Sequence, residues 1–166
     1  MTTADAFQIY AVYIKATPEA IWDAITKPEW SQQYGYGGLV DYDLRAGGAF
    51  QSRADDAMKE YPGVPDVIVD GEVIESDPPK KLVQTWRMLM DADNVEGFTT
   101  LTYEIVPSSR PGVAKLTVTH DLTNAPGLAE MVAGRRESEG AGGGWNEVLS
   151  GMKTLLETGQ PMVNWG

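Results

Sequence analysis

The stretch from residue 144 to residue 159 constrains this chain more than any other. Trp145, Val148, Leu149, Met152, Leu155 and Leu156 recur at i, i+3, i+4, i+7, i+10 and i+11, the spacing that gathers apolar side chains on one side of an α-helix. Asn146, Glu147, Ser150, Lys153, Thr154 and Glu157 fill the opposite side, and glycines bound the segment at Gly144 and Gly159. Only Gly151 weakens it, by about 1 kcal/mol relative to alanine. Full burial of such a stripe is worth on the order of 10 kcal/mol as an upper bound. The helix therefore predicts an apolar surface elsewhere in the chain on which it lies.

The β-like runs upstream supply that surface. Residues 7–15 are rich in aromatic and β-branched side chains and read as a first strand. A helix start follows, with Thr17 as cap, Pro18 in the first turn, Glu19 at the positive end, and Ile21, Trp22 and Ile25 as its buried stripe. Residues 28–33 predict a second short turn of helix, and Tyr34-Gly35-Tyr36-Gly37-Gly38 a loop. Residues 39–44 and 49–53 read as a hairpin around Arg45-Ala46-Gly47-Gly48. Residues 54–66 read as an exposed loop long enough to act as a lid. Strands are expected at 67–76, 81–90, 98–106 and 113–122, broken by Pro78-Pro79, by the acidic turn 91–97, and by residues 107–112.

In the last of these strands Leu116, Val118, His120 and Leu122 share one face, and in the preceding one Leu101, Tyr103 and Ile105 do the same. An antiparallel sheet with one apolar face needs a cover, and the C-terminal helix is the long amphipathic segment able to provide it. Between them, residues 126–144 hold a short helical candidate around 128–133, a charged Arg135-Arg136-Glu137 turn and the cluster Gly140, Gly142, Gly143 and Gly144, which reads as a hinge. The expected class is α+β, with a curved antiparallel sheet of six or seven strands wrapped around a long C-terminal helix and two short helices after the first strand. A length of 166 residues with 42% hydrophobic side chains fits one domain over residues 1–166.

Charge and composition remove several functions. Thirteen basic against 24 acidic residues give a net charge of -11, which repels phosphate backbones and argues against nucleic acid or an anionic membrane as the main partner. The absence of cysteine excludes disulfides, thiolate metal sites and thiol nucleophiles. No segment approaches the roughly 20 apolar residues of a membrane span, no export signal is read at the N-terminus, and a cytoplasmic location is the default expectation. No metal site or cofactor is expected. A homodimer is left open.

Several stretches carry a resemblance. Ala16-Thr17-Pro18-Glu19-Ala20-Ile21-Trp22 with Pro28-Glu29-Trp30, Asp43-Leu44-Arg45-Ala46-Gly47-Gly48-Ala49-Phe50, the run from Gly71 through Pro78-Pro79-Lys80-Lys81 to Trp86, Leu116-Thr117-Val118-Thr119-His120, and the segment beginning Gly144-Trp145 are all involved. Together they resemble the START-like (SRPBCC) superfamily, and within it the homologues of the activator of heat-shock protein 90 ATPase. The resemblance implies a helix-grip fold with a cavity between the sheet and the C-terminal helix. It also implies a choice among functions, since the superfamily hosts lipid carriers, cyclases and co-chaperones.

With that fold, Trp86, Met88, Leu101, Tyr103, Val118, His120, Trp145, Leu149 and Met152 become the expected lining of a site for a small hydrophobic or amphipathic ligand, the methionines supplying adaptable walls. The same residues can equally pack together as core. His120 titrates nearest neutrality and points inward. It is either a proton carrier, with Tyr103 as partner in a polyketide cyclase- or hydrolase-type enzyme, or a buried histidine satisfied by a hydroxyl such as Tyr103. A third reading, from the family name, is a chaperone-binding module, which no residue pattern supports. Arg87 is expected on the outer face. The acidic tip 91–96 lacks the pattern of a calcium loop, Arg135-Arg136 is offset by Glu137 and Glu139, and the glycines of 43–48 join two strands rather than cradling phosphate.

Overall fold

The computed structural model describes residues 3–163. Its strands are β1 (Phe7–Ile14), β2 (Leu39–Tyr42), β3 (Ala49–Arg53), β4 (Val67–Asp77), β5 (Lys81–Met88), β6 (Thr99–Pro107) and β7 (Ala114–Asp121). Its helices are α1 (Pro18–Thr26), α2 (Pro28–Ser31), α3 (Asp56–Lys59), α4 (Pro126–Val132) and α5 (Gly144–Thr158). All seven strands form one antiparallel sheet in the order β1-β7-β6-β5-β4-β3-β2, so the first strand closes against the last and β2 is the far edge. Irregular register at Ser52/Arg53 and between Val73 and Glu75 bends the sheet on the β3–β5 side.

Local chemistry sets the boundaries. Thr17 Oγ1 accepts from the Ala20 N–H at 3.1 Å, Pro18 opens α1, and the helix buries Ile21, Trp22, Ala24 and Ile25. The α5 helix ends at Gly159, whose N–H reaches the Leu155 carbonyl at 2.8 Å. It is tied to the end of β1, because Lys153 Nζ donates to the Tyr13 carbonyl at 2.7 Å and Glu157 accepts from the Lys15 N–H at 2.9 Å.

The main core lies between the concave face and the pair α1 and α5, with Ile21 and Ile25 from α1, Trp145, Leu149 and Met152 from α5, and Leu82, Leu101 and Val118 from the sheet. A second, smaller core of Phe50, Ala54, Ile68 and Val69 sits under the other end of the sheet and receives nothing from α5. Trp86, Met88 and Tyr42 border both cores.

Three local expectations change. Residues 54–66 are not all loop: Asp55 caps a turn of helix by accepting from the Met58 N–H at 2.8 Å, and Met58 packs on the second core. The strand expected to run to residue 90 stops at Met88. The glycine-rich run before α5, expected as a hinge, is tied to the loop after α2, where Tyr36 donates to the Ala141 carbonyl at 3.1 Å.

Candidate functional site

Alternation along β5 turns Leu82, Gln84, Trp86 and Met88 inward, and along β6 it turns Thr99, Leu101, Tyr103 and Ile105 the same way. Register places Gln84 opposite Leu101 and Leu82 opposite Tyr103, while His120 on β7 stands opposite Leu101. The N-terminal turn of α5 lowers Trp145 onto this surface. Rings then meet edge to face: Trp86 with His120 at 5.7 Å between centroids, His120 with Trp145 at 5.9 Å, and Tyr103 with Trp145 at 6.1 Å.

His120 is fully buried, and both its ring nitrogens are engaged. Trp145 Nε1 can only donate, and it lies 3.1 Å from Nδ1, so Nδ1 accepts and the proton sits on Nε2. Nε2 is 2.8 Å from Thr99 Oγ1, which in turn donates to the Trp86 carbonyl at 2.7 Å. Burial lowers the imidazole pKa to about 4, and the nearby Asp121 carboxylate offsets this only in part. His120 is thus a neutral strut joining β7, β6 and α5. The hydroxyl that satisfies it belongs to Thr99, not Tyr103.

All nine side chains expected to line a site meet in or against the main core, but they differ in what is left accessible. Leu101, Val118, His120, Leu149 and Met152 are sealed, and Trp145 is nearly so. Trp86, Met88 and Tyr103 keep accessible surface although they stand inward on the two middle strands. Tyr34 and Tyr42 pack against the same core, and their hydroxyls donate to the Ala24 carbonyl at 2.7 Å and to Gln84 Oε1 at 2.6 Å. Burial raises the pKa of Tyr34, Tyr42 and Tyr103, and these phenols are close enough that charge on Tyr103 would raise the other two further. Gln84, Thr99, Tyr34 and Tyr42 escaped the sequence reading. The alternation of β5 contained the signal for Gln84, whereas the two tyrosines arrive from segments whose placement only the fold determines.

Elsewhere, Arg87 lies on the outer face, paired with Asp70 through two bonds of 2.8 and 3.0 Å and resting on the Phe98 ring at 4.3 Å. Gly48 turns the hairpin tightly, since a Cβ there would lie 2.0 Å from the Asp43 carbonyl oxygen. No cluster of metal-ligating side chains occurs among the described residues. A groove of about 400 Å³ runs between Ala20, Asp23, Trp30, Gln33 and the end of α5, and a smaller depression lies against Tyr34, Gly151 and Met162. Neither includes any of the nine residues.

The family model described as "Activator of Hsp90 ATPase homolog 1-like protein" matches residues 15–157. The chain belongs to that family. Solved structures agree on the fold of this Hsp90-activator-like chain. An Hsp90 activator from Plasmodium falciparum superposes with a TM-score of 0.61 at 20% identity, over 90% of this chain and 95% of that one. DynU16, a protein of the dynemicin biosynthetic locus, gives 0.66 at 20% identity over 95% of this chain, which spans 49% of DynU16. CalU16 from Micromonospora echinospora gives 0.63 at 16% identity, over 96% of this chain and 69% of that one. No curated protein matches the sequence. Among the described residues no helix of this family member is long and apolar enough to cross a membrane.

Proposed function

We propose that this Hsp90-activator-like chain is a single cytoplasmic domain that binds a small hydrophobic or amphipathic molecule between the sheet and α5, without catalysing its conversion. The observation that carries this reading is the unequal closure of the inner face. Leu82, Gln84 and Leu101 are sealed, while their inward neighbours Trp86, Met88 and Tyr103 retain accessible surface. Aromatic and methionine walls at such a seam suit an apolar guest. Catalysis is the weaker reading, because His120 is held neutral with both nitrogens occupied. The test is binding of the neutral dye Nile red, read by its fluorescence. Wild-type protein is expected to bind saturably, and Met88→Trp, which fills the seam, to lose binding while keeping its unfolding midpoint within a few degrees. A well-folded Met88→Trp that binds as tightly as wild type, or a wild type that does not bind, would overturn the proposal.

A second reading concerns partners. Phe7, Ile9 and Tyr13 project from the outer face of edge strand β1 and are 57%, 62% and 54% exposed, a row of large apolar side chains suited to protein contact. A second copy of the chain is the occupant tested most directly. Sedimentation is expected to show a concentration-dependent dimer that Ile9→Glu abolishes, and a monomer at every concentration would remove this reading.

A further inference from the structure

The same seam holds a polar group that an apolar ligand alone would leave unsatisfied. Tyr103 makes no hydrogen bond to any described residue, and its oxygen is reachable by water, since the only buried side-chain oxygen or nitrogen without a partner among the described residues is Ser76 Oγ. Gln84 is fully buried, yet its Nε2 has a single long contact, 3.4 Å to the Thr85 carbonyl, while its Oε1 is taken by the Tyr42 hydroxyl at 2.6 Å. Both ends of this amide are thus bonded within the protein, Oε1 to Tyr42 and Nε2 to the Thr85 carbonyl, and of the two side chains Tyr103 alone is left open. No Asp, Glu, Lys or Arg is buried among the described residues, so nothing in the interior compensates a ligand charge.

We infer that Tyr103 selects an uncharged ring-bearing ligand through an oxygen acceptor, a ketone or hydroxyl, held at the seam beside Trp86 and Met88. This rests on the binding reading above and adds to it the polarity and charge of the guest. The discrimination arises mainly from penalty. A pure hydrocarbon strips water from the Tyr103 hydroxyl without replacing it, and a carboxylate loses its hydration to a site without a cation.

The experiment uses four probes sharing one ring system: naphthalene, 2-acetonaphthone, 2-naphthol and 2-naphthoate, titrated calorimetrically into the whole chain. The ketone and the naphthol are expected to bind roughly tenfold more tightly than naphthalene, and naphthoate most weakly. Tyr103→Phe removes a hydroxyl with no protein partner, so it is expected to fold as wild type, to bind naphthalene at least as well, and to lose most of the preference for oxygen. If all four probes bind alike, or if the oxygen preference persists undiminished in Tyr103→Phe, the selection is refuted while the binding site stands. If no probe binds, the binding site and the selection fall together.

Discussion

At the scale of single residues, His120 shows how one buried base ties the fold to pH. Above pH 6.5 the ring is neutral in both the folded and the unfolded chain and adds no pH dependence. Between pH 6.5 and its folded value of about 4, the unfolded chain takes up a proton that the folded chain refuses, so stability falls as pH falls. The whole shift amounts to about 3 kcal/mol, reached near pH 4 and absent above neutrality. His120→Gln keeps an acceptor for Trp145 and a donor for Thr99 but cannot titrate. Urea unfolding between pH 7 and pH 5 is expected to show a slope in wild type that this variant lacks, and equal slopes would refute a depressed imidazole. Trp145→Phe takes away the donor on Nδ1. It is expected to cost about 1 kcal/mol and to raise the His120 pKa, read by NMR titration.

At the scale of elements, two glycines of α5 that look alike in sequence do different work. Gly144 has φ of +69°, and a Cβ there would lie 2.1 Å from the Val132 carbonyl oxygen, so Gly144→Ala is expected to destabilise by about 2 kcal/mol or more. Gly151 is helical, and a Cβ would rest 3.4 Å from the Gly35 nitrogen and the Tyr34 Cβ. Alanine fits there and gains helix propensity, so Gly151→Ala is expected to stabilise by up to about 1 kcal/mol, whereas Gly151→Leu pushes the loop off α5 and destabilises. Thermal unfolding of the three variants separates the two glycines. This contrast marks what can be read from the chain. The stripe of α5, the Thr17 cap of α1 and the alternation of β6 and β7 depend on neighbours a few residues away, and the sequence pattern announced all of them. The reason for Gly151 lies in a loop more than a hundred residues upstream, and the partners of His120 lie on β6 and α5, where no local pattern points. The inner face followed the same division: inward facing was legible strand by strand, but which inward residues are sealed and which keep accessible surface depends on packing between distant elements.

At the scale of the whole molecule, the sheet is held by two cores of unequal size. Ile21, Leu82, Leu101, Val118, Leu149 and Met152 belong to the larger, and Phe50, Ala54, Ile68 and Val69 form the smaller, with no residue from α5. A core of four side chains resists opening less than one backed by two helices, so β2, β3 and the segment 54–66 form the unit of lower local stability. Trp86, Met88 and Tyr42 touch both cores, and on the proposed reading a guest at their seam would be bound only while the two are docked. Such binding would stabilise the weaker unit by mass action, by about 2.7 kcal/mol at a free ligand concentration a hundred times the Kd. Native-state hydrogen exchange is the measurement. Without ligand, β3 amides are expected to exchange through openings well below the global unfolding free energy while β6 and β7 amides require global unfolding. With Nile red present, protection in β3 is expected to rise by the amount its Kd dictates. A rise confined to β1 and β7 would place the guest elsewhere, and uniform protection in the free protein would show that the two cores open as one.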